Sequence, residues 1–264
     1  MLPSSTVSAF QRDGFVNAGP AISTSEADEL AQEVLRVIAD KDKPGVAQPV
    51  SVRNLGRADA PIWQIINIWE ASAAFRRLLA NSRLTQAASQ LLDGREIRLW
   101  HDQIQYKPVA VGGVNMWHQD SPYWPALQPK DQQVTCWIAL DDADSDNGCM
   151  SMVPGSQHWG NTIEFLHTVP SFEGLPLEFQ GRPIQKRLCP VQKGHMHWHH
   201  SLTWHASHAN RSGRPRRAIA LHFMNERTVF VAAGDHVMKA FIQVPDGAKI
   251  EGEHFPLVWS ARGP

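Results

Sequence analysis

Apolar positions recur at helical spacing over the first third of the chain. Leu30, Val34, Val37 and Ile38 fall on one face. Just ahead of them, Ser23-Thr24-Ser25-Glu26 offers a hydroxyl residue followed three positions later by Glu, the pattern of a capping box. A helix is predicted to start there and to break at Lys43-Pro44-Gly45. Two more helical patterns follow, one around Phe75, Leu78 and Leu79, the other around Leu84, Ala87, Ala88, Leu91 and Leu92. From about Glu96 the texture changes to short alternating or β-branched runs separated by Gly, Pro, Asn and Asp, the look of a sheet-rich body. Strands are predicted over 97–107, 113–120, 133–140, 149–153, 186–191, 195–200, 203–208 and 216–224. So many short strands suggest a jelly roll or a comparable double-sheet barrel.

The 264 residues suffice for one large β domain with helical padding, since such domains run to roughly 200–250 residues. No repeat, low-complexity tract or linker divides the chain. The expectation is a single domain over 1–264: helical support over 1–95, a β-barrel core over 96–225 and a closing segment over 226–264. A net charge of −1 offers no electrostatic footprint for nucleic acid or an anionic membrane. A small-molecule partner is expected instead, and the sequence leaves the oligomeric state open. Cys136, Cys149 and Cys189 leave one thiol over in any pairing scheme, which suggests reduced thiols and a cytoplasmic protein. Residues 1–20 lack the layout of a signal peptide, and no run of about 18 apolar residues appears. Asn210-Arg211-Ser212 matches a glycosylation sequon and reads as a turn.

The chain carries 13 His and ten Trp, which invites a search for a metal site. In Met116-Trp117-His118-Gln119-Asp120, side-chain alternation along a strand puts His118 and Asp120 on one face. Two His and one carboxylate occupy one face of an octahedral iron and leave the remaining positions open, the arrangement of non-haem Fe(II) oxygenases. The second His must come from another strand. The stretch 195–208 offers His195, His197, His199, His200, His205 and His208. The first three of those share a face, so a three-His zinc site is conceivable. Asp142 to Gly148 resembles the first half of a calcium loop, but Asn147 and Val153 stand where Gly and Glu are required, so a polar turn is expected.

Several motifs together resemble the phytanoyl-CoA dioxygenase family across most of the chain. They are Phe10-Gln11-Arg12-Asp13-Gly14-Phe15, Trp117-His118-Gln119-Asp120, Asp146-Asn147-Gly148-Cys149-Met150 leading to Val153-Pro154-Gly155-Ser156, and His205-Ala206-Ser207-His208-Ala209-Asn210 followed by Arg216. The resemblance implies a mainly β fold, a double-stranded β-helix of jelly-roll, cupin-like form with flanking N-terminal helices. It implies Fe(II) held by His118, Asp120 and His205, with 2-oxoglutarate as co-substrate and O2 as oxidant. Arg216 is implied to grip the far carboxylate of 2-oxoglutarate, a task suited to a planar, permanently charged guanidinium. Its face carries Ala218 and Ala220, which leave room for a ligand, whereas Arg217 shares a face with bulky Ile219, Leu221 and Phe223. By the same resemblance Ser207 helps hold the co-substrate, Trp137 lines its pocket, and Gln103 and Gln105 reach co-substrate or substrate. Tyr123 and Trp124, with Trp63, Ile68, Trp69 and Trp198, are candidates for an aromatic wall around the substrate.

The reaction so implied is oxidation, chiefly hydroxylation, of a C–H bond in a small organic metabolite, with release of succinate and CO2. Halogenating relatives replace the carboxylate by a small residue, so Asp120 argues for hydroxylation or for a desaturation, cyclisation or epoxidation. A cupin-like divalent-metal isomerase or hydrolase, or a ligand-binding module that does not use 2-oxoglutarate, is the competing reading. The metal enzyme would keep the three ligands but has no use for Arg216, and the binding module would be marked by loss of a ligand, whereas all three are present.

Overall fold

The computed structural model describes residues 1–109 and 112–262; the last two residues of the closing segment lie outside that range. Twelve strands build two sheets: β1 Phe15–Pro20, β2 Ser51–Asn54, β3 Trp63–Ile66, β4 Glu96–Lys107, β5 Asn115–His118, β6 Gln133–Ala139, β7 Met150–Met152, β8 Arg187–Cys189, β9 His195–His200, β10 His205–Ser207, β11 Arg216–Asn225 and β12 Leu257–Ser260. The major sheet runs β1-β9-β6-β11-β4-β3-β2 with β12 added to β4, and the minor sheet runs β8-β7-β10-β5. All pairs between neighbouring strands in both sheets are antiparallel. This mainly β body with N-terminal helices is the jelly-roll architecture expected above.

Alternation along each major-sheet strand separates a helix-covered face from a barrel interior. Val134, Cys136 and Ile138 of β6 and Ile219, Leu221 and Phe223 of β11 join one large core with residues of the helices α1 Ser4–Asp13, α2 Thr24–Ala39, α3 Ile68–Ala71, α4 Ala73–Leu78 and α5 Ser82–Leu92. The opposite faces present Trp137, Ala139, Ala218 and Ala220 to Phe15 and to Met150 and Met152 of the minor sheet. Arg216 therefore points inward and is wholly buried, while Arg217 lies on the helix side and pairs with Asp141 at 2.7 Å.

Local chemistry sets the helix ends. The capping box at α2 is present, with the Ser23 hydroxyl accepting from the Glu26 backbone and Glu26 accepting from the Ser23 backbone. Asn81 caps α5. Gly14 ends α1 with φ of 79°, and a Cβ there would lie 2.3 Å from Gln157 Oε1 and 2.5 Å from Thr203 Oγ1. Its carbonyl accepts from the Thr203 hydroxyl at 2.8 Å and from the His200 backbone at 2.8 Å, tying α1 to the strands that follow.

The stretch Asp142–Gly148 is a turn, its backbone folded onto Asp144 and Asn147 and its Asp144 carboxylate paired with Arg214 at 2.6 Å. The three cysteines are free and buried. Among the described residues no helix is long and apolar enough to cross a membrane. A sixth helix, Ile163–His167, and apolar residues around it cover the outer side of the minor sheet against Trp117 and Trp204. The C-terminal segment closes one end of the barrel, with Phe230, Met238, Ile250 and Phe255 packed on Trp100 and Trp124.

Candidate metal centre and barrel interior

His118 closes β5 and His205 opens β10, and the two are direct cross-strand partners in the minor sheet. Each ring is fixed by its own chain two residues back. His118 Nδ1 bonds the Met116 carbonyl at 2.7 Å and His205 Nδ1 bonds the Thr203 carbonyl at 2.8 Å. Nδ1 therefore carries a proton in both rings, which leaves Nε2 as the nitrogen each ring would offer to a metal. Asp120 follows β5, held by its backbone N–H on the Ser201 carbonyl at 2.9 Å. The ligand atoms of His118, Asp120 and His205 all lie within 4.8 Å of one another. Asp120 Oδ1 faces His205 Nε2 at 3.4 Å and His118 Nε2 at 4.0 Å. Two imidazole nitrogens and a carboxylate oxygen on one side of a cavity form the donor set suited to a non-haem iron.

The other carboxylate oxygen is engaged elsewhere. Asp120 Oδ2 accepts from Thr135 Oγ1 at 2.8 Å and from His199 Nε2 at 3.0 Å. Because Thr135 gives its proton to Asp120, its oxygen accepts from His222 Nδ1 at 2.8 Å. His199 Nδ1 accepts in turn from His197 Nε2 at 3.2 Å. Burial works to raise the Asp120 carboxyl, but the charge and hydrogen bonds of His205 and His199 prevail and hold it well below the usual carboxylate range. Burial pushes His118 down to about 3 and His222 down to about 4. The centre is thus a carboxylate beside His118 and His222 rings that burial keeps neutral and a His205 ring whose pKa Asp120 raises, and His199, backed by His197, supports Asp120. Among the described residues the metal-ligand cluster is His118, Asp120 and His205 rather than a three-His site.

Deeper in the barrel, Arg216 is wholly buried, with its guanidinium 5.7 Å over the Trp137 ring. Nη1 donates to the Gln105 carbonyl at 3.3 Å, while Nε and Nη2 have no partner among the described residues. Burial lowers its pKa to about 10, so it stays charged near neutral pH. An unpaired buried guanidinium costs stability unless an anion completes it. Lys107 is its cross-strand partner and is equally buried. Lys107 Nζ donates to Ser207 Oγ at 2.8 Å and to the carbonyls of Ser207 and His208 at 3.1 and 2.6 Å. The Ser207 hydroxyl therefore accepts from Lys107 and donates to Asn115 Oδ1 at 3.2 Å.

Trp137 stacks on His197 with ring centroids 5.2 Å apart and borders the small space beside the triad, as do Gln103 and Gln105. A larger cavity of about 830 Å³ opens outward from the triad. Gln103, Gln105, Tyr123 and Trp124 all line it. Tyr123 is half-exposed and its hydroxyl meets His167 Nε2 at 3.0 Å. The other aromatic-wall candidates lie elsewhere. Trp198 and Ile68 are in the core beneath the helices, Trp69 packs there too and borders an outer groove, and Trp63 is absent from the cavity lining. Sequence reasoning missed Thr135, His199, His222 and Lys107 as parts of the site. Thr135 and His222 lie on the inward faces already marked by Trp137 and by Arg216 with its alanines, so the alternation that found those residues also carried these.

A profile of the family described as phytanoyl-CoA dioxygenase matches residues 10–218. A phytanoyl-CoA dioxygenase domain-containing protein 1 homolog of Caenorhabditis elegans is 24% identical over 259 residues, 83% of this chain and 89% of that protein. The Caenorhabditis briggsae homolog is 31% identical over 160 residues, 58% of this chain, and the match spans 55% of that relative, little more than half its length. An ectoine dioxygenase of Nocardia farcinica is 30% identical over 155 residues, 58% of this chain and 50% of that protein. Among solved structures, the non-haem α-ketoglutarate-dependent carbocyclase SnoK from nogalamycin biosynthesis superposes with a TM-score of 0.78 at 22% identity, covering 98% of this chain and 97% of that one. EctD from S. alaskensis, with 2-oxoglutarate and 5-hydroxyectoine, superposes with a TM-score of 0.71 at 19% identity, covering 95% and 87%. At these identities the two superpositions establish the fold.

Proposed function

The chain belongs to the phytanoyl-CoA dioxygenase family of iron- and 2-oxoglutarate-dependent oxygenases, and from that premise we propose that it hydroxylates a C–H bond of a small organic metabolite, releasing succinate and CO2. The whole chain acts as one oxygenase domain in this reading. The observation that carries it is Arg216, a buried guanidinium inside the barrel whose Nε and Nη2 lack a partner. A dicarboxylate co-substrate supplies the missing acceptor.

Bound iron with 2-oxoglutarate supplies the oxidising chemistry, coupling O2 and decarboxylation of the keto acid to cleavage of a substrate C–H bond. The protein's part is placement. His118 and His205 would hold the iron through Nε2 and Asp120 through Oδ1. Thr135 and His199 hold Asp120 by its second oxygen, which keeps the first aimed at the metal. Arg216 takes the far carboxylate with Trp137 as the wall beneath it, and Ser207 contributes through the Lys107 side chain it holds. Gln103, Gln105, Tyr123 and Trp124 meet the substrate in the larger cavity, whose volume suits a small or medium metabolite. A carboxylate at Asp120, where halogenating relatives carry a small residue, favours hydroxylation.

The test is anaerobic titration of the metal-free protein with Fe(II) and then 2-oxoglutarate, followed by the visible charge-transfer band of a chelated keto acid and by direct iron binding. The band is expected. Arg216→Ala should weaken 2-oxoglutarate by at least tenfold and leave iron affinity unchanged, whereas His205→Ala should lower both. Iron binding without a band would favour the cupin-like alternative, and equal loss of iron in the two variants would overturn the division of roles.

A further inference from the structure

The cross-strand register aligns two inward-facing rows over the outer half of the major sheet. One runs Ser51, Ile66, Gln103, Ala220, Trp137, and the other runs Arg53, Gln64, Gln105, Ala218, Ala139. The second row puts a guanidinium and two carboxamides side by side, and Arg53, Gln64 and Gln105 all line the 830 Å³ cavity. Arg53 is the lining residue with a permanent positive charge. The one lining carboxylate is Asp120, which lies in the metal triad. Among the described residues the exposed guanidinium of Arg53 makes no hydrogen bond or ion pair, although most arginine side chains of this chain are paired with a carboxylate or carbonyl.

Resting on the oxygenase reading above, we infer that the substrate carries an anionic oxyacid group, such as a carboxylate, which Arg53 binds at the outer end of the cavity with Gln64 and Gln105 alongside. Arg53 is thereby the residue that fixes substrate class. A guanidinium binds an oxyacid through paired N–H donors, and carboxamide N–H groups can complete the remaining acceptors. The body of the substrate is in part apolar or aromatic, because Ile62, Ile66, Trp124 and Val237 share the wall toward the triad with polar Gln103, Asn115 and His236. Arg53 stands two strands away from Gln105, roughly 10 Å at the usual interstrand spacing. Gln105 in turn borders the small space at the triad. The anionic group and the oxidised carbon are therefore separated by several bonds. This site is distinct from the Arg216 site, which opens on the barrel interior and takes the co-substrate.

The experiment uses 4-phenylbutyrate and its neutral amide as probes. Calorimetric titrations are run on the full chain in two states, metal-free and loaded anaerobically with Fe(II) and 2-oxoglutarate. The acid is expected to bind at least tenfold more tightly than the amide. Arg53→Gln should bring that ratio to about one while leaving the charge-transfer band intact, and Arg53→Lys should retain part of the preference. Equal affinity for acid and amide, no binding of the acid, or a preference that survives Arg53→Gln would each overturn the inference. Loss of the band in the unaltered protein would instead count against the iron and 2-oxoglutarate reading, so the two failures are separable.

Discussion

Asp120 divides its two oxygens between two tasks: Oδ1 faces the ligand histidines and Oδ2 is held by Thr135 and His199. Removing one holder should loosen the carboxylate without removing it. Thr135→Val, nearly the same shape but without the hydroxyl, is expected to weaken Fe(II) affinity by about tenfold, within the range seen for supporting residues of metal sites, with little change in 2-oxoglutarate affinity at saturating iron. Equilibrium dialysis of iron checks the first and the charge-transfer titration the second. At this scale the sequence carried much of the centre. The pair His118 and Asp120 was suggested by strand alternation over 113–120, although the strand ends at His118 and Asp120 lies just beyond it. The family motif singled out the pair and picked His205 out of six histidines. Thr135 and His222 were harder to see, because their role depends on which strands become neighbours, and that is decided by pairing over long sequence separations.

At the scale of elements, the first turn into the barrel is coupled to the centre through hydrogen bonds. Gly14 ends α1 in a left-handed conformation, its carbonyl takes the Thr203 hydroxyl, and the Thr203 carbonyl takes His205 Nδ1. Gly14→Ala adds a Cβ where Gln157 and Thr203 side chains already stand and imposes a positive φ on a residue with a side chain. A loss of about 1–3 kcal/mol is expected, measured by chemical denaturation, together with weaker iron binding as Thr203 is displaced. The strands β4, β6, β9 and β11 were legible because one face packs on helices and alternates cleanly. The short strands β2 and β3 were not, since their inward positions include Arg53 and Gln64, which face the cavity instead of a core. The helix α1 was also missed, for its one buried residue is Phe10 and an amphipathic stripe is barely present.

For the molecule as a whole, buried imidazoles set the response to acid. Burial holds His118 at about 3 and His200, His222 and His236 at about 4, against about 6.5 in an unfolded chain. Between pH 6.5 and 4 the unfolded state takes up protons at these four groups and the folded state does not. The metal-free protein should therefore lose stability steadily as pH falls through that window. His205, whose pKa is raised beside Asp120 against the effect of burial, works in the opposite sense but is a single group. Denaturation midpoints at pH 7, 5.5 and 4.5 should decrease in that order, and His222→Gln should flatten the slope. A flat profile in the unaltered protein would show that these rings are not neutral in the fold.

Each of the triad histidines is oriented by a backbone carbonyl two residues earlier in the chain, Met116 for His118 and Thr203 for His205. The metal-binding rings thus need no side chain from the cavity wall to select their tautomer. Reaction chemistry and substrate choice are in this sense modular. The lining of the outer cavity can be redesigned, position by position, for a different molecule, while the two short backbone clamps go on presenting the same pair of nitrogens.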